Sequence, residues 1–120
     1  MVLKERLELL VKLGNYLQED SESRQKVLLE AERHNRWLTK ANSLKALENL
    51  ATEFLSSEKL ENWLKNYPAI NYNVSAKRVG IVLAGNIPAV GFHDILCTFL
   101  SGHRSILKYS DKDSHLIPFM

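Results

Sequence analysis

The sequence predicts an α/β fold in which N-terminal helices precede a βαβ unit of parallel sheet. Three observations predict it. Apolar residues recur at helical spacing in four stretches before residue 68. Val79-Gly80-Ile81-Val82-Leu83-Ala84 is a short apolar run rich in β-branched residues, which reads as a strand. Phe92, Ile95, Leu96, Phe99 and Leu100 then return to helical spacing before a second short run, Ser105 to Tyr109. A strand, a helix and a strand in that order read as a β-loop-α-β unit, whose strands should pair in parallel with a right-handed crossover.

In the first helix Leu3, Leu7, Leu10, Val11, Gly14 and Leu17 share a face, with Lys4, Glu5, Glu8 and Lys12 opposite. Glu19-Asp20-Ser21 breaks it. Ser21 or Ser23 can cap a second helix in which Val27, Leu28, Ala31 and His34 or Asn35 face inward. Trp37, in the mixed aromatic and polar segment His34 to Thr39, is expected to pack at that helix end. Asn42-Ser43 reads as another cap, before Leu44, Leu47, Leu50, Ala51, Phe54 and Leu55. After a break at Ser56-Ser57, Leu60, Trp63, Leu64 and Tyr67 form a fourth stripe that Pro68 ends. Ala69 to Ala76 has no clear period. The expected organisation is therefore a helical region over 1–68, a linker over 69–76 and the βαβ part over 77–120.

Val79 to Ala84 is apolar without alternation, so it reads as a strand buried on both faces. Pro88 suits the first turn of the following helix, and Gly102 is placed to end it. Ser114 to Met120 reads as the opening of a further helix.

Composition excludes more than it identifies. The chain is 45% apolar and 25% charged, ordinary for one globular domain, and a net charge of +2 is too small to argue for nucleic acid or a membrane surface. No run approaches the ~20 apolar residues of a membrane span. The N-terminus lacks the hydrophobic core of a signal peptide, so a cytoplasmic protein is expected. One cysteine allows no intramolecular disulfide. His34, His93, His103 and His115 follow no zinc spacing, and no structural metal is expected.

Chemistry concentrates where the two strands end. Ligands of parallel sheets sit outside the carboxyl ends of strands, here at Gly85-Asn86-Ile87-Pro88. Gly85 lets the backbone turn or approach a ligand, and the Asn86 amide donates without titrating. Lys108, Ser110 and Asp111 reach the same edge, a set that could bind a nucleotide's ribose and phosphates. Equally, Asn-x-Pro after a strand can be only a turn, and a strand-terminal lysine can be only solvated. Neither GxGxxG nor a Walker-type loop is present. His93 and Cys97, four apart, could form a nucleophile pair or half a metal site, but an apolar helix favours an inert buried thiol. Asp94 suits the positive end of that helix.

At these residues the chain resembles the aldehyde dehydrogenase superfamily, and more closely the bacterial acyl-CoA reductase (long-chain fatty acyl reductase) family. The superfamily pattern is matched by Gly80-Ile81-Val82, Asn86-Ile87-Pro88, Ser101-Gly102-His103 and Lys108-Tyr109-Ser110-Asp111. The narrower family is suggested by Ala84-Gly85-Asn86-Ile87-Pro88 followed by Gly91-Phe92-His93-Asp94. The resemblance covers roughly the last third of the chain closely. It implies a Rossmann-like sheet, here an incomplete aldehyde dehydrogenase-like cofactor domain, and reduction of an acyl thioester to an aldehyde through a downstream cysteine.

Residue by residue, it implies that Asn86 helps form the oxyanion hole and that Lys108 contacts the adenosine ribose. Asp111 falls where the superfamily often has a ribose-binding glutamate, while Tyr109 replaces a usual proline. The family's usual cofactor is NADPH. NADH is the alternative, because a carboxylate such as Asp111 near the ribose 2′ position repels a 2′-phosphate. A homo-oligomer and an acyl-activating partner enzyme are further expectations. With only two convincing strands, both very apolar, the chain is expected to be the N-terminal part of a larger reductase and inactive alone. Two alternatives stay open. One is another aldehyde dehydrogenase superfamily member; the other is a helical interaction domain whose βαβ unit is only structural and binds no nucleotide.

Overall fold

A computed structural model describes residues 1–72 and 74–120. Asn73, within the stretch expected to be a linker, lies outside the described residues. On either side of it, Pro68–Asn71 form a 3-10 turn and residues 74–77 take no regular structure.

Most of the helical stripes form as expected, but several ends are set by other residues, and the fourth stops at Leu64 rather than running to Pro68, which leaves Tyr67 exposed. Helix α1 (Leu3–Gln18) buries Leu10, Gly14 and Leu17, and its Val2 N–H donates to Glu5 Oε2 at 2.8 Å. Helix α2 (Glu22–His34) is capped by Ser21, whose Oγ accepts from the Arg24 N–H at 3.1 Å. Arg24 turns its buried side chain back onto α1. Its Nη1 donates to the carbonyls of Leu17 (3.1 Å) and Gln18 (3.0 Å), and its Nη2 to Asp20 Oδ1 (3.2 Å). The last carbonyls of a helix have no partner within it, and one guanidinium here serves two of them.

Helix α3 (Lys40–Asn49) is capped by Thr39, not by Asn42-Ser43. Thr39 Oγ1 accepts from the Asn42 N–H at 3.2 Å, and Ser43 is buried inside the helix with its hydroxyl donating to the Leu38 carbonyl. A π turn, Leu50–Phe54, continues it, closed by the Leu55 N–H on the Leu50 carbonyl at 3.1 Å. Gly14 of α1 faces that turn closely, since a Cβ on it would stand 3.0 Å from Leu55 Cβ. Helix α4 (Ser57–Leu64) starts from Ser56, whose Oγ accepts from the Lys59 N–H.

Strands β1 (Arg78–Val82) and β2 (Arg104–Lys108) pair in parallel, from Arg78 opposite Arg104 to Val82 opposite Lys108. The expectation that β1 is buried on both faces fails. Exposure alternates along both strands; Ile81 and Leu107 pack on the core, while Val82 is 79% and Ile106 57% exposed. The physical reason is that the described helices cover only one face of the pair.

Helix α5 (Phe92–Leu100) connects the strands and starts four residues after Pro88 rather than at it. The delay comes from a turn over residues 88–91 in which Ala89 takes φ 54°, outside the helical region. Its end is as expected. Gly102, at φ 80°, donates to the Phe99 carbonyl and His103 to that of Thr98, the paired bonds of a Schellman ending. A short helix α6 (Leu116–Phe119) closes the described chain.

One core joins the helices to the covered sheet face. Leu17, Leu28, Leu38, Leu47, Leu55, Leu96, Leu100 and Leu116 are essentially inaccessible, and burying each stabilises the fold by roughly 1.5–3 kcal/mol. Helix α1 packs on α5 and α2 on α6, so the helical region and the βαβ unit share this core.

Candidate functional site

The parallel register places the carboxyl ends of both strands at one edge, and the Leu83 N–H extends the ladder by donating to the Lys108 carbonyl at 3.0 Å. Beyond it the chain makes two adjacent turns, 85–91 after β1 and 109–115 after β2. Asn86, Lys108 and Asp111 are exposed there, and Ser110 is half-buried. The structure thus brings Asn86, Lys108, Ser110 and Asp111 to the same edge. The Asn86 side chain makes no hydrogen bond among the described residues, and neither Lys108 nor Asp111 is ion-paired among them.

Gly85 is buried, and its role is visible. A Cβ on it would stand 2.5 Å from Ser110 Oγ, 2.8 Å from Ser110 Cβ and 2.9 Å from the Asp113 nitrogen. Only glycine admits that approach. Across the same contact, Ser110 pairs with Asp113 in an isolated antiparallel bridge, and Ser110 Oγ accepts from the Lys112 N–H at 3.2 Å.

Sequence reasoning missed Asp113. Its side chain is 4% exposed; Oδ2 accepts from the Ala89 N–H at 3.0 Å and Oδ1 from the Leu116 N–H at 3.1 Å. Ala89 pays ~1–2 kcal/mol for its left-handed backbone, and a hydrogen bond to a carboxylate, worth about 1.5–3 kcal/mol, offsets that. The visible signal was slight: an aspartate three residues before an apolar pair fits a helix cap.

The end of α2 also reaches this edge. His34 Nε2 donates to the Asp111 carbonyl, and Asn35 Nδ2 to the Lys112 carbonyl at 3.1 Å. Trp37 is not packed as expected but 68% exposed, with the Lys112 ammonium 5.8 Å from its ring centre. The cation held over the ring gives the tryptophan a partner without burying it. A recess of about 410 Å³ lies between Trp37, Asp111 and Lys112.

His93 and Cys97 stand apart from this edge, on the flank of α5. Sγ lies 3.8 Å from Nδ1 and 3.9 Å from Nε2, both near the long limit for a hydrogen bond to sulfur. The ring sits between Phe54 and Trp63, with centroids 5.8 and 5.9 Å away. Burial, and then the Asp94 carboxylate, push the Cys97 thiol up. That is the reverse of what a nucleophile needs. Cys97 lines a mainly apolar groove of about 490 Å³ with Trp63, Tyr67, Tyr72 and Leu100. Among the described residues no three His, Cys, Asp or Glu side chains cluster as metal ligands, and no helix is long and apolar enough to cross a membrane.

A family model described as acyl-CoA reductase (LuxC) matches residues 6–120. Comparison with curated proteins and with solved structures gave no match.

Proposed function

The chain belongs to the acyl-CoA reductase (LuxC) family, and from that premise we propose that it is the N-terminal part of an enzyme reducing a fatty acyl thioester to an aldehyde with NADPH. NADH is the alternative donor. The acyl group is taken up by a cysteine outside these residues, because the raised Cys97 thiol suits that role poorly. What supports the assignment most directly is the Asn86 amide, exposed and free of hydrogen bonds among the described residues at the strand ends, beside Lys108, Ser110 and Asp111.

When a thiolate attacks the thioester carbonyl carbon, the carbonyl oxygen gains negative charge. Asn86 donates an amide N–H to that oxygen, and the coenzyme A thiolate leaves as the carbonyl re-forms. A fixed donor of this kind is worth roughly 3 kcal/mol in the transition state. The same amide receives the oxygen again during reduction, after which the cysteine thiolate departs and the aldehyde is released. The nicotinamide cofactor supplies the hydride when bound.

The residues present fit such a cofactor. Lys108 offers a cation for ribose or phosphate oxygens, Asp111 a carboxylate for ribose hydroxyls, and Ser110 a hydroxyl between them. Gly85 serves this set by admitting Ser110. In this scheme residues 77–120 open a Rossmann-like, aldehyde dehydrogenase-type cofactor domain, 69–76 join it, and 1–68 cover it. A cytoplasmic homo-oligomer fed by an acyl-activating enzyme completes the scheme.

The test is to supply the full-length protein with a long-chain acyl-CoA and NADPH. Free coenzyme A and trapped aldehyde should appear in step with NADPH consumption, while residues 1–120 alone should produce neither. Absence of aldehyde from the full-length protein would sink the proposal.

A further inference from the structure

We propose that Asp113 is a positioning residue that holds the Asn86 loop in its working shape; this rests on the assignment of Asn86 above. The loop is fastened on both sides of Asn86 to one segment, 110–113. On one side Gly85 lies against Ser110 and the Asp113 nitrogen, closer than any side chain would allow. On the other, the Ala89 N–H donates to Asp113 Oδ2 at 3.0 Å, deep in the protein. Between these two points Asn86 is exposed.

Ala89 shows why a fastening is needed. It is 3% exposed and holds φ 54°, a conformation that an alanine leaves unless something retains it. Asp113 retains it with one carboxylate oxygen and uses the other to accept the Leu116 N–H at 3.1 Å. Its own N–H is tied to the Ser110 carbonyl at 3.1 Å, so the carboxylate is held from both ends. If Ala89 relaxed, Pro88 and Ile87 would carry the displacement to Asn86. Donors to a developing oxyanion lose much of their effect when displaced by ~1 Å. Asp113 therefore acts through the loop and touches no substrate.

The substitution Asp113→Asn keeps the size but presents an amide N–H to one of the two backbone donors. In the full-length reductase it should lower kcat by ~10-fold or more, with the KM for acyl-CoA changed less than about twofold. A purely structural defect would not depend on Asn86, and the double variant separates the two. Asn86→Ala with Asp113→Asn should be no slower than Asn86→Ala alone, within about twofold. Losses that multiply would overturn the proposal, as would an unchanged kcat in Asp113→Asn while Asn86→Ala is impaired. If Asn86→Ala is itself fully active, the assignment of Asn86 fails first, and the positioning role falls with it. Should Asp113→Asn not fold, amide exchange in the unaltered enzyme decides. The Ala89 N–H should exchange as slowly as the Leu83 N–H, and exchange at the rate of an open loop would refute the clamp.

Discussion

The N–H of Leu83 and the carbonyl of Lys108 meet at 3.0 Å, and this bond sets Lys108 level with the start of the Asn86 loop. Backbone pairing thus fixes the point from which the Lys108 side chain reaches out, while that side chain itself stays exposed. Lys108→Ala should leave strand pairing intact and remove only the charge. Steady-state kinetics of the full-length enzyme should show the KM for NADPH rising about tenfold with kcat nearly unchanged. An unaltered KM would mean that the lysine is merely solvated.

Asn86→Ala removes the amide donor and should lower kcat by ~10²-fold, with little change in the KM for acyl-CoA. Asn86→Asp should be slower still, because a carboxylate of nearly the same shape repels the oxygen it replaces a donor for. Equal activity in the two variants would indicate that loop shape, and not charge at that position, limits the rate.

Cys97 should be dispensable. With its thiol pushed up by burial and by Asp94, the thiolate fraction near neutral pH is below that of a free cysteine. Iodoacetamide should therefore react with it more slowly than with a small free thiol, and the gap should narrow as the pH rises. Cys97→Ala should retain reductase activity within about twofold, and abolished activity would reinstate the thiol as a nucleophile.

Arg24→Met keeps much of the side-chain length but leaves the Leu17 and Gln18 carbonyls without their donor. Orphaning the buried Leu17 acceptor costs about 1–3 kcal/mol, which urea unfolding would register as a lower midpoint at unchanged slope. A stability equal to that of the unaltered protein would show that water replaces the guanidinium.

Asp20 links this contact to pH. Hydrogen bonds from Gln25 and then Arg24 hold its carboxyl below the usual carboxylate range. A lowered folded pKa means that its stabilisation is fully present above the unfolded value. It is then lost as pH falls through the folded one. Thermal melts of Asp20→Asn should lie below those of the unaltered protein near neutrality and converge with them as pH falls below about 4. A gap that persists in acid would assign the effect to shape alone.

The elements of this fold were legible because each carries its own period. The stripes, the two strands and the glycine at 102 appear where the spacing places them to within a few residues, although α4 stops at Leu64 and leaves Tyr67 exposed, and Asn86, Lys108, Ser110 and Asp111 do reach one edge. What was not legible depends on approach between distant segments. Asp113 lies in the polar run Ser110-Asp111-Lys112-Asp113-Ser114, and only its cap-like place before Leu116 distinguishes it locally from a solvated turn; its burial comes with the Ala89 and Leu116 N–H groups brought to it. Trp37 has the composition of a core residue, yet it finds a lysine instead of a cavity. The bare face of the sheet was hidden for a related reason: apolar strand residues record what suits them, not what covers them.

The bonds from His34 and Asn35 to the carbonyls of Asp111 and Lys112 each span 77 residues. The turn bearing Asp111 is therefore gripped by a helix end from the opposite half of the chain, and its shape depends on α2 being in place. A substitution at the end of α2, such as Asn35→Ala, would loosen this edge without altering a single residue of it.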